Sequence, residues 1–523
     1  MFVAVAIAAS VFALAGCSKK AEEAKGVELT INNGTEPQSL DPSMIQGVPE
    51  HRIYMALFEG LVSYDPKTSA AVPGVAESWS RSGENNEILT FKLRKTTWSD
   101  GTPITAQTFV DSWLYYMAPS TAAEYAYMPA AIIKGAEAYN AGEADASTVG
   151  LRAVDDYTFE VTLVGAVPYA EDMMGHYAFA PLPLHAIEAN GSEWTKPGKF
   201  VGNGPFVLES WTPNEKITVV PNEKYWDKDN IFLSRITFLP IENSTTSYNK
   251  FKNGEIDWDT QIPIDMIDSV KYEDEFQTYA YLASSYYEFN LNDPTLSDVR
   301  VRKALNMGID KQGLVDKVLK GGQIVANTFC PPMGSYVPPE GNKVDIEKAK
   351  SLLAEAGYPN GEGFPTLTLS YNTADSNKRV AEYIQAQLKE NLGINIELEN
   401  MEWKVFLSKR QSNDFQIARA GWVGDYADPS NFLELLLSTS GNNDGRYNNP
   451  EYDALLKQAS TMPAGEERNA VLYHAEEICM TQDQAYITTH YSVSQNMIDL
   501  SKWDGWYNNT QDIHPYKGLK LKK

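Results

Sequence analysis

Strand-like and helix-like segments alternate along the whole chain, and this alternation constrains the fold more than any other feature. Residues 28–32 and 366–371 have the every-second-residue hydrophobic pattern of a strand. Residues 345–356 have helical spacing, with Asp345 suited to the N-cap and Gly357 to the position after the last turn. Such alternation is typical of α/β proteins. A chain of 523 residues exceeds what one hydrophobic core supports, so we expect two or three subdomains.

The same patterns predict further elements. The strand at 366–371, a helix at 377–390 and a strand at 394–399 form a βαβ unit, for which a right-handed parallel crossover is expected. Residue Thr105 is suited to cap a helix that follows it. The remaining predicted elements are strands at 89–93 and 158–163, a hairpin of 206–211 with 216–220, and helices at 51–61, 105–117, 298–309 and 312–319.

The N-terminus has the features of a targeting segment. Residues 2–15 are apolar and too short for a membrane-spanning anchor. They end in Leu14-Ala15-Gly16-Cys17, which resembles the bacterial lipobox and implies removal of residues 1–16 and diacylglyceryl attachment to Cys17. A plain secretory signal with a chance cysteine is the alternative. The usual basic residues after Met1 are missing, which leaves open a start further upstream. Residues 17–26 are polar and predict a flexible tether.

Charge and cysteine content exclude some classes of function. The formal charge is −25 and no Lys/Arg stripe is present, which argues against nucleic-acid binding because a phosphate backbone needs a basic surface. Beyond the N-terminal segment the cysteines are Cys330 and Cys479. They are far apart in sequence, and two buried free thiols are favoured over a disulfide.

Catalytic and cofactor motifs are weak. The six histidines show no i,i+4 pairing and have no neighbouring cysteine, and there is no GxSxG or phosphate-binding glycine loop. Gly202-Asn203-Gly204 begins like a dinucleotide motif, but Val207 stands where the third glycine is required. No paired-carboxylate motif supports a glycosidase. We therefore expect neither an enzyme nor a cofactor.

Residues 419–429 combine a cation, a glycine, an aromatic and a carboxylate in one short segment. An extended peptide is a zwitterion that needs an acceptor for its amine, a donor for its carboxylate and open backbone to pair with. Asp425 is suited to the amine, although a solvated or turn-forming aspartate is an equal alternative from sequence alone. Arg419 lies in an apolar strand and needs a carboxylate partner, either from the protein or from a peptide C-terminus. The segment predicts a receptor for short peptides.

Asp428 in the same segment has a structural explanation. It precedes Pro429, and a leucine-rich helical pattern follows. Aspartate at the N-cap and proline at the first helical position account for the pair. We therefore leave Asp428 out of the predicted binding site.

Motifs distributed over nearly the whole chain resemble the bacterial extracellular solute-binding proteins of family 5, the peptide and nickel receptors of ABC importers. Each motif is weak alone, but their combination in this order is specific. The residues around Arg419 and the segment 46–50 resemble the oligopeptide-binding branch most closely. The other motifs are Leu40-Asp41-Pro42, Phe58-Glu59-Gly60-Leu61, Val72-Pro73-Gly74-Val75-Ala76-Glu77-Ser78-Trp79, Trp98-Ser99-Asp100-Gly101-Thr102-Pro103, Gly202-Asn203-Gly204-Pro205-Phe206, Tyr225-Trp226, Gly254-Glu255-Ile256-Asp257, Val299-Arg300-Val301-Arg302-Lys303-Ala304-Leu305 and Ala354-Glu355-Ala356-Gly357-Tyr358-Pro359.

The resemblance implies a class II periplasmic-binding-protein-like α/β fold with two lobes, an extra domain and a ligand cleft between the lobes. It implies domain I from 27–58, 183–282 and 492–523, domain II from 59–182, and domain III from 283–491. The expected partners are short peptides and the permease subunits of an ABC transporter. The expected state is a monomer on the extracytoplasmic or periplasmic side, held to the membrane through the lipid on Cys17.

The resemblance also implies roles for individual residues. Asp425 corresponds to the carboxylate that receives the peptide ammonium, and Arg419 and Arg410 to two arginines that meet the carboxylates of peptides of different lengths. Asn377 stands where well-known members have a histidine for that task. Gln46, Gly47 and Val48 would flank the peptide on one side and Gly421, Trp422 and Val423 on the other, as edges for β-strand addition. Candidate pocket walls are Tyr125, Tyr286 and Tyr287, for which core packing is the more frequent role, and Glu288, for which an ion pair is the alternative.

Two other functions remain open from the sequence. A sibling receptor of the same family would bind murein peptide, dipeptide, haem or nickel. A surface lipoprotein would bind host macromolecules.

Overall fold

The structure is a computed structural model that describes residues 26–522. Cys17 and the predicted signal segment lie outside the described residues, as does most of the predicted tether. The strands are β1 Val27–Asn32, β2 Val62–Tyr64, β3 Ala71–Pro73, β4 Ala76–Ser82, β5 Ile88–Leu93, β6 Thr96–Thr97, β7 Pro103–Ile104, β8 Leu151–Asp155, β9 Thr158–Thr162, β10 Phe206–Thr212, β11 Lys216–Pro221, β12 Leu233–Leu239, β13 Trp258–Asp259, β14 Phe276–Phe289, β15 Ile324–Val325, β16 Leu367–Asn372, β17 Ile396–Met401, β18 Ile417–Val423, β19 Tyr486–Ile498, β20 Trp503–Asp504 and β21 Lys520–Leu521.

The α-helices are interspersed with these strands along the chain, as the sequence predicts. Residues Leu314–Leu319 continue α10 as a π-helical turn. The helices are α1 Val48–Leu57, α2 Ala106–Met117, α3 Tyr127–Ile132, α4 Ala136–Asn140, α5 Ala170–Met173, α6 Leu184–Asn190, α7 Ser244–Lys252, α8 Ile267–Val270, α9 Val299–Met307, α10 Lys311–Gly313, α11 Ile346–Glu355, α12 Asp375–Leu392, α13 Trp403–Gln411, α14 Ser430–Leu433, α15 Pro450–Thr461 and α16 Glu466–Glu476.

One mixed sheet runs through the molecule. Its 11 strands follow the order β10-β11-β12-β1-β13-β19-β14-β18-β16-β17, with β15 paired to β19 off this path. The two longest strands, β14 and β19, lie antiparallel in the middle and connect the two halves of the sheet. Their register shifts between Ala280 and Ser284 and again between Ser285 and Tyr286. Such irregularities bend a strand pair, which suits a connection between two lobes.

Two large hydrophobic cores pack around the main sheet. The larger core includes Trp113, Phe159 and Phe206, and it also packs the four-stranded sheet β4-β5-β9-β8. The second core includes Leu305 and Ile384 and packs against β16 and β18. Two extended cores confirm that the chain does not fold around a single one.

Most predicted elements are confirmed. The strand β16, the helix α12 and the strand β17 form the predicted parallel βαβ unit. The Asp345 side chain accepts a hydrogen bond from the Lys348 amide (3.0 Å) at the start of α11, and Gly357 has a φ of 102° after its end. The hairpin β10–β11 turns at Asn214, which has a φ of 59°.

The predicted helix over 51–61 has the wrong bounds. Helix α1 begins at Val48, with Pro49 in its first turn, and it ends at Leu57 because Phe58 is extended. The Glu59 carboxylate then accepts a hydrogen bond from the Trp226 indole (2.7 Å). This tertiary contact holds residue 59 outside the helix, and a local hydrophobic pattern does not report it.

Both described cysteines, Cys330 and Cys479, are free buried thiols, as the sequence favoured. Among residues 26–522, no helix combines the length and apolar character that a membrane span requires.

Candidate functional site

A cavity of about 530 Å³ lies where the two halves of the main sheet meet. This volume is within the range of small-molecule binding clefts. Segments far apart in sequence line it, including 46–49, 260–262, 283–286, 372–376, 421–425 and 492–495. Of the residues predicted for the site, those lining the cavity are Gln46, Gly47, Val48, Tyr125, Tyr286, Arg410, Arg419, Gly421, Trp422, Val423 and Asp425.

Strand β18 presents a backbone edge to this cavity. On one side it pairs with β14 along its whole length, from Ile417 to Val423. On the other side it pairs with β16 only at Ile417 and Ala418. Residues 419–423 therefore have no strand partner on that side within the described chain. A free strand edge is what an extended peptide needs in order to add as a further strand.

Arg419 faces the cavity with no carboxylate partner among residues 26–522. No carboxylate oxygen of these residues lies within 4.0 Å of its guanidinium nitrogens, whereas Arg410 and Arg468 each have such a partner. Burial lowers the pKa of Arg419, because desolvation disfavours its charged form. A half-buried guanidinium without a carboxylate partner is costly in a folded protein. Its position is suited to an incoming anion.

Gly421 makes room for the Arg419 guanidinium. A Cβ atom built on Gly421 would lie 3.1 Å from Nη2 of Arg419. The arginine side chain therefore folds along the strand and covers residue 421, on the same strand face. This contact explains the glycine at this position better than general backbone flexibility does.

Asp425 lies just beyond the end of β18, and its backbone is held on two sides. Its amide donates to Oδ1 of Asn431 (3.0 Å), and its carbonyl accepts from Nε2 of Gln511 (2.8 Å). Its Oδ2 is buried and has no hydrogen-bond partner. Its Oδ1 lies 3.2 Å from Nε2 of His176. The backbone of Asp425 is thus held at the wall of the cavity, and its carboxylate accepts no aligned hydrogen bond from the described residues.

Arg410 differs from Arg419 because its charge is balanced within the protein. Its Nη2 lies 2.7 Å from Oε1 of Glu288 and 2.9 Å from Oδ2 of Asp444. Glu288 is fully buried and does not line the cavity, so it occupies the ion pair that the sequence left as an alternative. Two carboxylates around one guanidinium leave no net positive charge for a ligand carboxylate.

The predicted aromatic walls divide into two groups. Tyr125 stacks on Trp422 with ring centroids 5.9 Å apart, and both line the cavity. Tyr286 lines the cavity while packing in the larger core. Tyr287 points to the other side of β14, into the second core. Asn377 does not line the cavity either, because its side-chain amide donates to the backbone carbonyl of Asn372 (3.0 Å).

The segment opposite β18 is held by a contact that the sequence analysis did not identify. Gly47 precedes α1 with a φ of 125°, and a Cβ there would lie 2.9 Å from Glu50 Oε2 and 3.2 Å from Trp403 Cζ2. The Trp403 indole donates to Oε1 of Glu50 (3.3 Å). Burial raises the pKa of Glu50 to about 7. This contact joins α1 to α13 across the cavity.

Asp428 is structural, as predicted, but through a different contact. Both of its oxygens bind the buried Arg468 guanidinium, at 2.7 and 2.9 Å. Helix α14 begins at Ser430 with Pro429 as its N-cap, so the prediction of Asp428 as N-cap was wrong by one residue. The Asp428 side chain still accepts from the Ser430 amide (3.0 Å). The ion pair accounts for the aspartate.

His176, Trp403 and Asn431 contribute to the site and were not predicted. His176 and Asp425 are far apart in sequence, as are Trp403 and Glu50, so no local spacing relates them. Asn431 is closer to Asp425, but an asparagine in a helix start has many ordinary roles. Among residues 26–522, no group of three or more His, Cys, Asp or Glu side chains is placed to hold a metal ion.

Comparison with known proteins identifies relatives with this architecture. The family described as "Bacterial extracellular solute-binding proteins, family 5 Middle" matches residues 70–444. The chain is 38% identical over 497 residues to the periplasmic oligopeptide-binding protein OppA of Escherichia coli K12, covering 93% of this chain and 90% of the relative. It is also 38% identical over 500 residues to the periplasmic murein peptide-binding protein MppA of the same strain, covering 93% and 91%.

Solved structures of such proteins superpose closely on this one. An oligopeptide-binding protein of Borrelia burgdorferi, OppAIV, gives a TM-score of 0.92 at 36% identity over 95% of this chain and 100% of that chain. A structure of Escherichia coli MppA gives 0.91 at 36% identity over 96% and 99%, whereas its unliganded open form gives 0.63 over 95% and 98%. The lobes here are therefore arranged differently from those of that open form. The predicted α/β fold, with two lobes and a cleft between them, is confirmed, and the chain belongs to the bacterial extracellular solute-binding proteins of family 5.

Proposed function

We propose that this protein captures short peptides in extended form between its lobes and delivers them to the permease of an ABC importer. The observation that carries the proposal is the free edge of β18, with the unpaired Arg419 guanidinium along it and the Asp425 carboxylate beyond its end. The peptide ammonium binds Asp425, and the peptide carboxylate binds Arg419. The peptide then runs antiparallel to β18.

The position of the Arg419 guanidinium sets the length of peptide that fits both ends. It lies over Gly421, four residues before Asp425. Four strand residues span about 13 Å, which corresponds to an extended peptide of about three or four residues. Longer peptides would place their carboxylate beyond Arg419.

Charged partners at both peptide termini offset the desolvation cost of binding. Enclosing a zwitterion removes water from two charges, and each charge must meet a partner. Charge-assisted hydrogen bonds at the ends supply this, and backbone pairing along β18 adds affinity without selecting side chains. Micromolar affinity corresponds to about −8 kcal/mol. Arg410 acts indirectly in this account, by holding Glu288 and Asp444.

The transport role rests on the relatives. OppA of Escherichia coli is a periplasmic oligopeptide-binding protein, and the Borrelia burgdorferi structure is described as that of an oligopeptide ABC transporter protein. We propose the same location for this chain, with a lipid on Cys17 as the membrane anchor, and lobes built from domains I, II and III as the sequence predicts. Mass spectrometry of the mature N-terminus tests the anchor: a diacylglyceryl cysteine is expected, and an unmodified residue 17 would contradict it.

Analysis of co-purified ligands tests the peptide assignment. The protein is purified without denaturation, and its bound compounds are released and sequenced by mass spectrometry. We expect a mixture of peptides of about three to four residues with unrelated sequences. A single non-peptide compound, or failure of the stripped protein to bind a tri- and tetrapeptide mixture in calorimetry, would contradict the proposal.

Murein peptide is the second candidate ligand. MppA is 38% identical to this chain, the same value as OppA, so identity does not separate the two. Competition between trialanine and murein tripeptide separates them. Comparable affinities support a general peptide receptor, and a strong preference for the murein tripeptide supports the second candidate.

A further inference from the structure

We propose that His176 is the positioning residue for Asp425: its Nε2–H binds one carboxylate oxygen and leaves the other free for a peptide ammonium. This inference rests on the peptide-binding function proposed above. It assigns to a buried histidine a role in reading the free amino terminus of the peptide.

The protonation of the His176 ring follows from its surroundings. The Ala178 backbone amide donates a hydrogen bond to Nδ1 (3.2 Å). Nδ1 must therefore be the acceptor nitrogen, and in the neutral ring the hydrogen is on Nε2. Nε2 lies 3.2 Å from Oδ1 of Asp425, within reach of a hydrogen bond once the two groups align.

The ring has little freedom to turn away. His176 has no exposed surface, and its ring lies 3.8 Å from the Tyr177 ring and 5.2 Å from the Tyr125 ring, measured between centroids. The ring is held by these neighbours and by the Ala178 amide together. Side chains fixed in this way by packing and hydrogen bonds can position a binding group accurately.

Two buried polar atoms at this point have no hydrogen-bond partner among the described residues. Nε2 of His176 is close to Oδ1 of Asp425 but makes no aligned hydrogen bond, and Oδ2 of Asp425 has none. No other side chain among residues 26–522 binds this carboxylate. Unpartnered buried groups cost free energy, and a ligand that satisfies them gains it. We expect the carboxylate to turn when a peptide binds, so that one oxygen accepts from His176 and the other meets the ammonium.

The two residues also come from different segments of the predicted domains. His176 belongs to 59–182 and Asp425 to 283–491, so the contact crosses from domain II to domain III. Separation of the lobes would remove the Nε2–H from the carboxylate. Asp425 would then hold the ammonium fully only when the cleft is closed, which couples amine recognition to closure.

Calorimetry with trialanine and N-acetyl-trialanine tests the role. The variants are H176Q, which keeps a donor near the Nε2 position, and H176L, which removes it. We expect H176L to weaken trialanine binding about tenfold, consistent with the loss of a hydrogen bond to a charged group. Binding of N-acetyl-trialanine should stay within about twofold, and H176Q should recover most of the loss. In a D425N background, H176L should have little further effect.

The outcomes separate this inference from the function on which it rests. If wild-type protein binds neither tri- nor tetraalanine, the peptide function itself fails. If D425N loses trialanine binding while H176L does not, or if H176L weakens both peptides equally, His176 has no positioning role. Urea unfolding of the ligand-free variants reports any loss of stability separately.

Nitrogen NMR of wild-type protein carrying ¹⁵N-labelled histidine provides a second measurement that needs no variant. We expect an unprotonated Nδ1 and a protonated Nε2 for His176, assigned by the loss of its signals in H176Q or H176L. Trialanine should shift the Nε2–H signal more than N-acetyl-trialanine does. A proton on Nδ1, or equal shifts with both peptides, would overturn the inference even if H176L does not fold.

Discussion

At the scale of single residues, the site depends on which charges the protein leaves unpaired. Arg410 and Arg419 are both half-buried arginines that line the cavity, but Arg410 is bound by Glu288 and Asp444 whereas Arg419 has no carboxylate partner within the described chain. The sequence predicted that Arg419 needs a carboxylate, but it did not distinguish a carboxylate of the protein from that of a peptide. The partners of Arg410 come from residues 288 and 444, and their approach depends on the tertiary fold.

Gly421→Ala should weaken the binding of peptides that have a free carboxylate. The new Cβ would lie 3.1 Å from Nη2 of Arg419, so the guanidinium must move by a few tenths of an ångström. We expect trialanine binding to fall about tenfold, or ~1.4 kcal/mol, because one charge-assisted contact is misaligned. Calorimetry with trialanine amide is the control, since an amide does not use the guanidinium charge. An equal loss for both peptides would show that Gly421 serves backbone approach instead.

At the scale of secondary-structure elements, local sequence patterns predicted which segments form strands and helices better than they predicted the residues at which those elements begin and end. Helix α11 and the βαβ unit of β16, α12 and β17 formed as predicted, because their capping residues and periodicity are local. Helix α1 ended early because Glu59 is bound by Trp226. The segment 419–425 was predicted as the site, but the open edge of β18 depends on where β16 stops pairing, which the sequence does not show.

Asp428→Asn should destabilise the fold without changing which peptide ends are recognised. Asp428 pairs with the buried Arg468 through two contacts at 2.7 and 2.9 Å. Removing one partner of a buried ion pair costs about 3–5 kcal/mol, because the remaining charge is left uncompensated. Urea unfolding measures the loss, with the exposed Asp229→Asn as the matched control. A selective loss of free-amine peptides, with stability unchanged, would instead place Asp428 in the binding site.

At the scale of the whole molecule, the cavity is enclosed by segments that belong to different lobes. The long strands β14 and β19 connect the halves of the sheet and carry register shifts in their middle. The TM-score of 0.63 with the open form of MppA, against 0.91 with another MppA structure, shows how far the lobe arrangement can differ within the family. The contact of Glu50 with Trp403 joins α1 to α13, and Trp403 lines the cavity.

Peptide affinity should rise as pH falls through the neutral range, because closure buries Glu50. Burial raises the pKa of Glu50 from 4.5 to about 7, and the hydrogen bond from the Gln38 backbone amide offsets this only in part. At a pH between 4.5 and about 7, Glu50 takes up a proton when the cleft closes, because its pKa is higher in the closed form. The closed form therefore becomes more stable relative to the open form as the pH falls below about 7. Above about pH 7 Glu50 is charged in both forms, so the free energy of closure no longer changes with pH. The effect is at most about tenfold per pH unit.

Calorimetry with tetraalanine from about pH 7 to about pH 5.5, where the peptide ammonium stays charged, measures this dependence. Glu50→Gln should flatten the profile, and Glu193→Gln at an exposed position should not. A profile in Glu50→Gln identical to that of the wild type would show that Glu50 does not titrate with closure.

The central claim is that one cavity binds both ends of a short peptide, the ammonium at Asp425 and the carboxylate at Arg419. Calorimetry of wild-type protein with four forms of trialanine tests it directly: unblocked, N-acetylated, C-amidated and blocked at both ends. We predict that each single block weakens binding by about 1.5–3 kcal/mol, as for loss of a charged hydrogen bond, and that the double block weakens it further. Equal affinity for all four forms would contradict the account.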